Sequence, residues 1–209
     1  MKQITFLSQN VRGVKTDARI VELCHVMKKR NAIAACLQET WRKGQEVLDF
    51  EQYRLISSGL NEATCRRGSQ GVAICLNPDG VDAWNAAGLE THSDLGPRVL
   101  AIRLLLRDKH NRDVGVFLVS AYAPVGNAPE HTWNEFLIYL TTCLNRKRND
   151  DILVIGCDCN SSMGVNRSKE SGPLGNFGIS HVNDSGKSRV ESCYDVFQKE
   201  EIRHMDASS

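Results

Sequence analysis

The chain has 209 residues, 41% of them hydrophobic and 24% charged, a size and balance that suit one large globular domain. Its 26 basic and 25 acidic residues leave a net charge of +1, which excludes a domain holding nucleic acid by bulk charge alone, so a polyanion must be met by local basic patches or by metal. No apolar run approaches the roughly 18 residues of a membrane span, and Met1-Lys2-Gln3 leads into a short strand-like run with no secretory core; a nuclear or cytoplasmic protein without membrane contact is expected.

A first strand is predicted over Lys2–Leu7, followed by a turn at Asn10-Val11-Arg12-Gly13. Thr16 or Asp17 caps a helix with Ile20, Leu23 and Met27 at helical spacing. Lys28, Lys29 and Arg30 offset the helix dipole in the last turn, and Asn31 ends it. Ile33–Leu37 is a continuous apolar run, the mark of a strand covered on both faces, and it delivers Gln38-Glu39-Thr40 at its end. Strands are predicted over Tyr53–Ser57, Val72–Leu76, Val99–Leu106 and Val114–Ala121, joined by turns such as Asn77-Pro78-Asp79-Gly80. A second helix opens at Pro129 or Glu130 and runs to Lys147, with Trp133, Phe136, Leu140 and Leu144 on one face. The strand Ile152–Ile155 leads into a loop rich in Gly, Ser and Asn, and a last helix covers Val190–Glu201. Helix and buried strand alternate at both ends with a run of strands between them. That order predicts two sheets packed face to face with helices outside, in a single domain over residues 1–209.

The segment I-L-V-I-G-C-D-C-N at 152–160 poses the chemical question. A thiolate metal site, a redox pair and a carboxylate–amide pair all contain such residues. The eight cysteines form no C-x-x-C pair and lie mostly inside apolar runs, which speaks for buried thiols rather than zinc or redox chemistry. In an extended segment Cys157 and Cys159 point to the opposite side from Asp158. Polar clusters also close the other buried strands: Asn10, Gln38-Glu39, and Ser120-Ala121-Tyr122-Ala123-Pro124. Asn10, Glu39, Asp158 and Asn160 offer hard oxygen donors of the kind Mg²⁺ accepts, with water completing the shell. Asp158 can orient or deprotonate a water, Asn160 can hold a phosphate, and Tyr122 can donate to a phosphoryl oxygen.

N-V-R-G at 10–13, L-Q-E-T at 37–40, G-V-A-I at 71–74, S-A-Y-A-P at 120–124 and G-x-D-x-N at 156–160 follow one another in this order. Together they resemble the endonuclease/exonuclease/phosphatase superfamily of deoxyribonuclease-I-like metal phosphodiesterases, and most closely the endonuclease domains of non-LTR retrotransposons. The resemblance implies a four-layer α/β sandwich of two mixed sheets flanked by helices. It implies a Mg²⁺-dependent hydrolase, with Mn²⁺ as a substitute ion, that nicks DNA. Asn10 and Glu39 match the metal-site amide and carboxylate, Tyr122 the active-site tyrosine, and Asp158 with Asn160 the pair that handles nucleophile and phosphate. Arg66 and Arg67 are expected to meet a substrate phosphate, and Arg12, Arg98, Arg167 and Lys169 are further candidates.

The chain departs from the family pattern in two places. Family members commonly carry Asn directly after the Tyr-x-Pro segment, whereas here Val125 follows and Asn127 stands two residues on; Asn127 is the candidate substitute. Family domains also continue into further strands with a terminal Ser-Asp-His, and this chain contains no Asp-His dipeptide. The resemblance therefore implies a domain incomplete at its C-terminus, lacking its last strands and impaired in catalysis. The alternative is an inactive remnant that binds nucleic acid or a protein partner, and a phospholipid or RNA substrate is compatible with the same motifs.

Overall fold

Residues 4–60 and 70–160 are described by the computed structural model. In chain order they form β1 (Thr5–Asn10), α1 (Asp17–Arg30), β2 (Ala32–Gln38), β3 (Gln45–Phe50), β4 (Tyr53–Ser58), β5 (Val72–Leu76), α2 (Pro78–Ala86), β6 (Thr91–His92), β7 (Val99–Arg107), β8 (Asp113–Tyr122), α3 (Glu130–Leu144) and β9 (Ile152–Asp158). The loop after Asn160 and the helix expected over Val190–Glu201 lie outside the described residues. The chain packs as two units, Met1–Ala123 with Ile138–Asp158, and Pro124–Leu137 with Cys159–Ser209. No described helix is long and apolar enough to cross a membrane.

The first unit holds two mixed sheets, ordered β1-β2-β5-β4-β3 and β6-β7-β8-β9. In the first, β1 runs parallel to β2 and the other pairs are antiparallel. In the second, β8 and β9 are parallel and the remaining pairs antiparallel. Side chains alternate across each strand, so the sequence sorts into two layers of core. Ala34, Cys36, Ile56, Ile74 and Leu76 meet Leu100, Ile102, Leu104, Val116 and Leu118 between the sheets. Ala35, Leu37, Leu55, Ala73 and Cys75, one residue out of phase, pack under Ile20, Leu23, Cys24 and Met27 of α1. Burying each large aliphatic chain in such layers contributes about 1.5–3 kcal/mol.

The helix over 17–30 has the expected ends. Thr16 is extended at the N-cap, and Asn31 is left-handed at φ +50° with its N–H returning to the carbonyls of Lys28 and Met27, which satisfies two orphan carbonyls. The turn expected at 77–80 is instead the start of α2. Asn77 accepts a hydrogen bond from the Gly80 N–H at 2.8 Å and Pro78 occupies the first turn, where a missing N–H costs nothing. β3 was absent from the expected strands because its residues are mostly exposed and carry little apolar signal. Its register with β4, from Gln45 opposite Ser58 to Phe50 opposite Tyr53, holds it in place.

Gly156 explains the small residue in the apolar run of β9. A Cβ there would lie 2.9 Å from Ser8 Oγ and 3.0 Å from Cys36 Sγ, and closer still to Cys36 Cβ. Glycine thus lets β9 of one sheet approach β1 and β2 of the other. Gly156→Ala is expected to destabilise the chain by about 1–3 kcal/mol through overpacking, read as a lower midpoint in urea. An unchanged midpoint would show that the sheets separate at no cost.

Candidate active site

The alternation that builds the core also builds the site. On the face between the sheets, β1 carries Phe6, Ser8 and Asn10, β2 carries Cys36 and Gln38, β8 carries Ser120 and Tyr122, and β9 carries Val154, Gly156 and Asp158. Phe6 and Val154 pack against the core, and one step along each strand the lining becomes polar. Gln38, only 1% exposed, donates from Nε2 to the Gly156 carbonyl at 3.0 Å and to Ser8 Oγ and Ser120 Oγ, each at 3.4 Å. Ser120 Oγ in turn donates to the Leu37 carbonyl at 3.1 Å. This polar tie joins both sheets directly beneath the candidate residues, and stripping its partners from a buried amide costs about 1–3 kcal/mol. Sequence reasoning placed Gln38 and Ser120 in polar clusters at strand ends but gave them no role, and it missed Ser8. The available signal was their spacing, two residues before Tyr122 and Asn10, or immediately before Glu39.

One further step brings the four candidates together. Asn10 Nδ2 donates to Glu39 Oε1 at 2.7 Å and to Asp158 Oδ2 at 2.6 Å. Tyr122 Oη donates to the same Glu39 Oε1 at 3.1 Å. Asn10 Oδ1 accepts the Arg12 N–H at 3.2 Å, which sets the amide so that its N–H₂ group faces the carboxylates. Tyr122 and Asp158 are register partners on adjacent parallel strands, and the Asp158 carbonyl accepts the Ala123 N–H at 2.9 Å. Asn10 and Gln38 are partners in the β1–β2 ladder. Backbone pairing therefore fixes three of the four positions before any side chain is considered.

Glu39 is placed differently. In an extended continuation of β2 it would follow Gln38 to the opposite face, with Leu37 and the helix α1. It has instead a left-handed backbone, φ +54°, and its carboxylate reaches Asn10 and Tyr122. Such a conformation disfavours a residue with a Cβ and persists only where the surroundings enforce it. They do so here: Val11 N–H binds the Gln38 carbonyl at 2.9 Å, Gly13 N–H the Glu39 carbonyl at 2.7 Å, and Thr40 N–H the Gly71 carbonyl at 3.0 Å. The motifs around Gly13 and Gly71 are thus the braces of the Glu39 turn.

Two anionic side chains converging on one polar atom mark a place where positive charge is favoured. Among the described residues no three His, Cys, Asp or Glu gather into a metal site; the oxygens that converge are those of the Glu39 and Asp158 carboxylates, with the Asn10 N–H₂ group between them. That set fits Mg²⁺, which is held by one or two carboxylates and keeps several waters. Cys157 is a half-buried thiol on the other parity of β9. Cys36, at the base of the polar tie, has its thiol pushed up to about 12 by burial, so it is protonated at neutral pH and offers no thiolate.

Asn160 belongs to the second unit and is left-handed at φ +48°. Asn127, also in the second unit, is exposed in a turn whose Ala128 N–H binds the Val125 carbonyl at 2.9 Å. Arg66, Arg67, Arg167 and Lys169 lie outside the described residues. Arg12 is exposed beside Asn10.

No protein-family model matches the chain, and no curated protein matches it. Solved structures do. The AP endonuclease LMAP from Leishmania major aligns over 93% of this chain and 66% of its own, with a TM-score of 0.57 and 16% identity. An AP endonuclease from Archaeoglobus fulgidus aligns over 93% and 71%, with a TM-score of 0.56 and 14% identity. The catalytic domain of Xenopus laevis APE2 aligns over 79% and 62%, with a TM-score of 0.51 and 16% identity. At such identities the likeness is one of fold: two mixed sheets flanked by helices, the deoxyribonuclease-I-like arrangement. The chain spans about two thirds of the length of these structures.

Proposed function

We propose that this chain is a Mg²⁺-dependent phosphodiesterase of the retroelement-endonuclease kind, acting on DNA. The observation that carries the reading is the Asn10 amide held between the carboxylates of Glu39 and Asp158, with the Tyr122 hydroxyl on Glu39. The fold shared with solved AP endonucleases supports it, as do the five ordered motifs that resemble the retroelement domains. Glu39, with Asn10 beside it, is assigned to hold Mg²⁺ or Mn²⁺. The bound ion would polarise a phosphodiester and neutralise charge that develops on it.

The chain's own groups supply the rest. Asp158 orients and deprotonates the attacking water, since its carboxylate sits at a strand end whose backbone is pinned to Ala123. Tyr122 is 7% exposed, so its hydroxyl is held in a low-dielectric wall and donates to a phosphoryl oxygen with little reorganisation. Asn160 is assigned to the phosphate, as the G-x-D-x-N resemblance implies. Arg66, Arg67 and Asn127 are assigned to substrate contacts flanking the scissile bond.

The test is conversion of supercoiled plasmid to the nicked form. Nicking, impaired relative to a domain that carries the Asp-His dipeptide, is expected in Mg²⁺ or Mn²⁺, abolished by EDTA and restored by excess metal. In parallel, Mn²⁺ bound to the chain, followed by its electron paramagnetic resonance signal, is expected to be lost in Glu39→Gln. Cleavage indifferent to EDTA, or Mn²⁺ binding indifferent to Glu39→Gln, would sink the metal assignment.

A further inference from the structure

Arg98 stands immediately before β7, and several of its contacts converge on Tyr122 and the residue after it. Its Nη1 donates to the carbonyls of Tyr122 and Ala123 at 3.2 and 3.3 Å. Its own carbonyl accepts the Tyr122 N–H at 2.9 Å. Its guanidinium carbon lies 5.1 Å from the centroid of the Tyr122 ring. Tyr122 itself belongs to the core between the sheets, and its hydroxyl reaches Glu39. The chain of contacts therefore runs from Arg98 through Tyr122 to Glu39, Asn10 and Asp158.

A guanidinium over an aromatic face is attracted by the ring quadrupole. The same planar group can at once donate to two successive carbonyls, which a lysine ammonium on a flexible stem does less well. The ring rotation of a tyrosine is otherwise soft, because its second side-chain torsion has a broad minimum. With the backbone of Tyr122 and Ala123 tied to Arg98 and the ring covered by it, the hydroxyl is held on one line toward Glu39.

We propose that Arg98 is a positioning residue that clamps Tyr122, aiming its hydroxyl into the carboxylate cluster, and that it acts on phosphodiester cleavage through the tyrosine rather than as a phosphate contact. The functional half of this statement rests on the phosphodiesterase reading. The sequence alone offered Arg98 as a phosphate-binding cation, and the two roles differ in what they change. A phosphate contact sets KM and its salt dependence, and lysine retains much of it. A clamp on the tyrosine sets kcat, since misplacing a reacting group by about 1 Å costs up to roughly 10²-fold.

The experiment compares the 209-residue chain with Arg98→Gln, Arg98→Lys, Tyr122→Phe and the Arg98→Gln/Tyr122→Phe pair in Mg²⁺-dependent plasmid nicking. Arg98→Gln is expected to lower kcat by about 10- to 100-fold with KM little changed, and Arg98→Lys is expected not to restore it. In the Tyr122→Phe background, Arg98→Gln is expected to add little, because residues acting as one unit are not additive. A full multiplicative loss in the pair, or a raised KM rescued by lysine, overturns the clamp. A second readout needs no activity. In chains labelled with 3-fluorotyrosine, the ¹⁹F resonance that disappears in Tyr122→Phe is expected to shift or broaden in Arg98→Gln and Arg98→Lys. The resonances of Tyr53 and Tyr139 are expected to stay, which also shows that the variants are folded. An unmoved Tyr122 resonance overturns the clamp whatever the activity. If the unaltered chain does not cleave, the phosphodiesterase reading fails while the fluorine spectra still decide the clamp.

Discussion

Asp158→Asn is expected to lower Mg²⁺-dependent nicking of supercoiled plasmid by about 10²- to 10⁴-fold, the span that a positioned general base contributes. The substitution keeps the shape of the side chain and its place at the end of β9, where the ladder with β8 and the hydrogen bond to Ala123 are both made by backbone. It removes a negative charge and the capacity to take a proton. It also sets an amide against the Asn10 N–H₂ group, which now donates to Asp158 Oδ2 at 2.6 Å. Because Asp158 is half-buried and the amide keeps the shape that meets Asn10 between the sheets, the fold is expected to survive, with thermal unfolding little changed. Glu39→Gln is expected to act similarly through loss of metal. Cys157→Ser, on the other parity of the same strand, is expected to leave nicking unchanged. Loss of activity in Cys157→Ser with activity kept in Asp158→Asn would return the segment to thiol chemistry.

Asp151→Asn is expected to give the largest loss of stability, about 3–5 kcal/mol, because it strands a buried charge. Asp151 has no exposed side-chain surface and Arg103 only 8%. Arg103 Nε lies 3.0 and 2.9 Å from the two carboxylate oxygens, and Nη2 lies 2.8 Å from one of them. An arginine guanidinium does not give up its proton in a protein, so Arg103 cannot escape its burial by becoming neutral once the carboxylate is gone. The pair anchors the residue before β9 to the middle of β7, and Gly115 of β8 leaves the room it occupies, since a Cβ there would collide with both side chains. With about 2–4 °C per kcal/mol for a chain of this size, Asp151→Asn is expected to lower Tm by roughly 6–20 °C. Replacing both partners by apolar residues, Arg103→Met with Asp151→Leu, is expected to recover most of that loss, because burial of the pair is itself costly. A double variant as unstable as the single one would show that shape, not charge, holds this corner.

Both effects depend on strand parity, and that is where the sequence was most informative. The continuous apolar run at 33–37 and the aliphatic-rich segments at 72–76, 99–106 and 114–121 mark strands, and β2, β5, β7 and β8 stand there within a residue or two. The C-terminal end of α1 was written in Asn31, while Thr16 stands at the N-cap without a side-chain hydrogen bond. Elements without a concentrated apolar signal were not legible. β3 is held by its pairing with β4, and α2 by an Asn77 cap and by Ala83 and Trp84 in the core between the sheets. Local composition does not announce either, since tertiary contacts supply their stability.

The same division holds at the site. By itself the sequence singled out the candidates Asn10, Glu39, Tyr122 and Asp158, each at or just beyond the end of an apolar run. It also determined, through the period of two, that Asp158 faces away from the parity of Cys157. Tertiary structure alone decided that these residues meet. Two sheets separated in sequence had to come close enough for Asn10 to bridge carboxylates from different sheets, and Gly156 with the Gln38 tie makes that approach possible. Alternation by itself sends Glu39 to the face of α1. A left-handed turn at φ +54°, held by the Gly13 and Thr40 amides, brings it back, because hydrogen bonds from distant loops outweigh a backbone preference of about 1–2 kcal/mol.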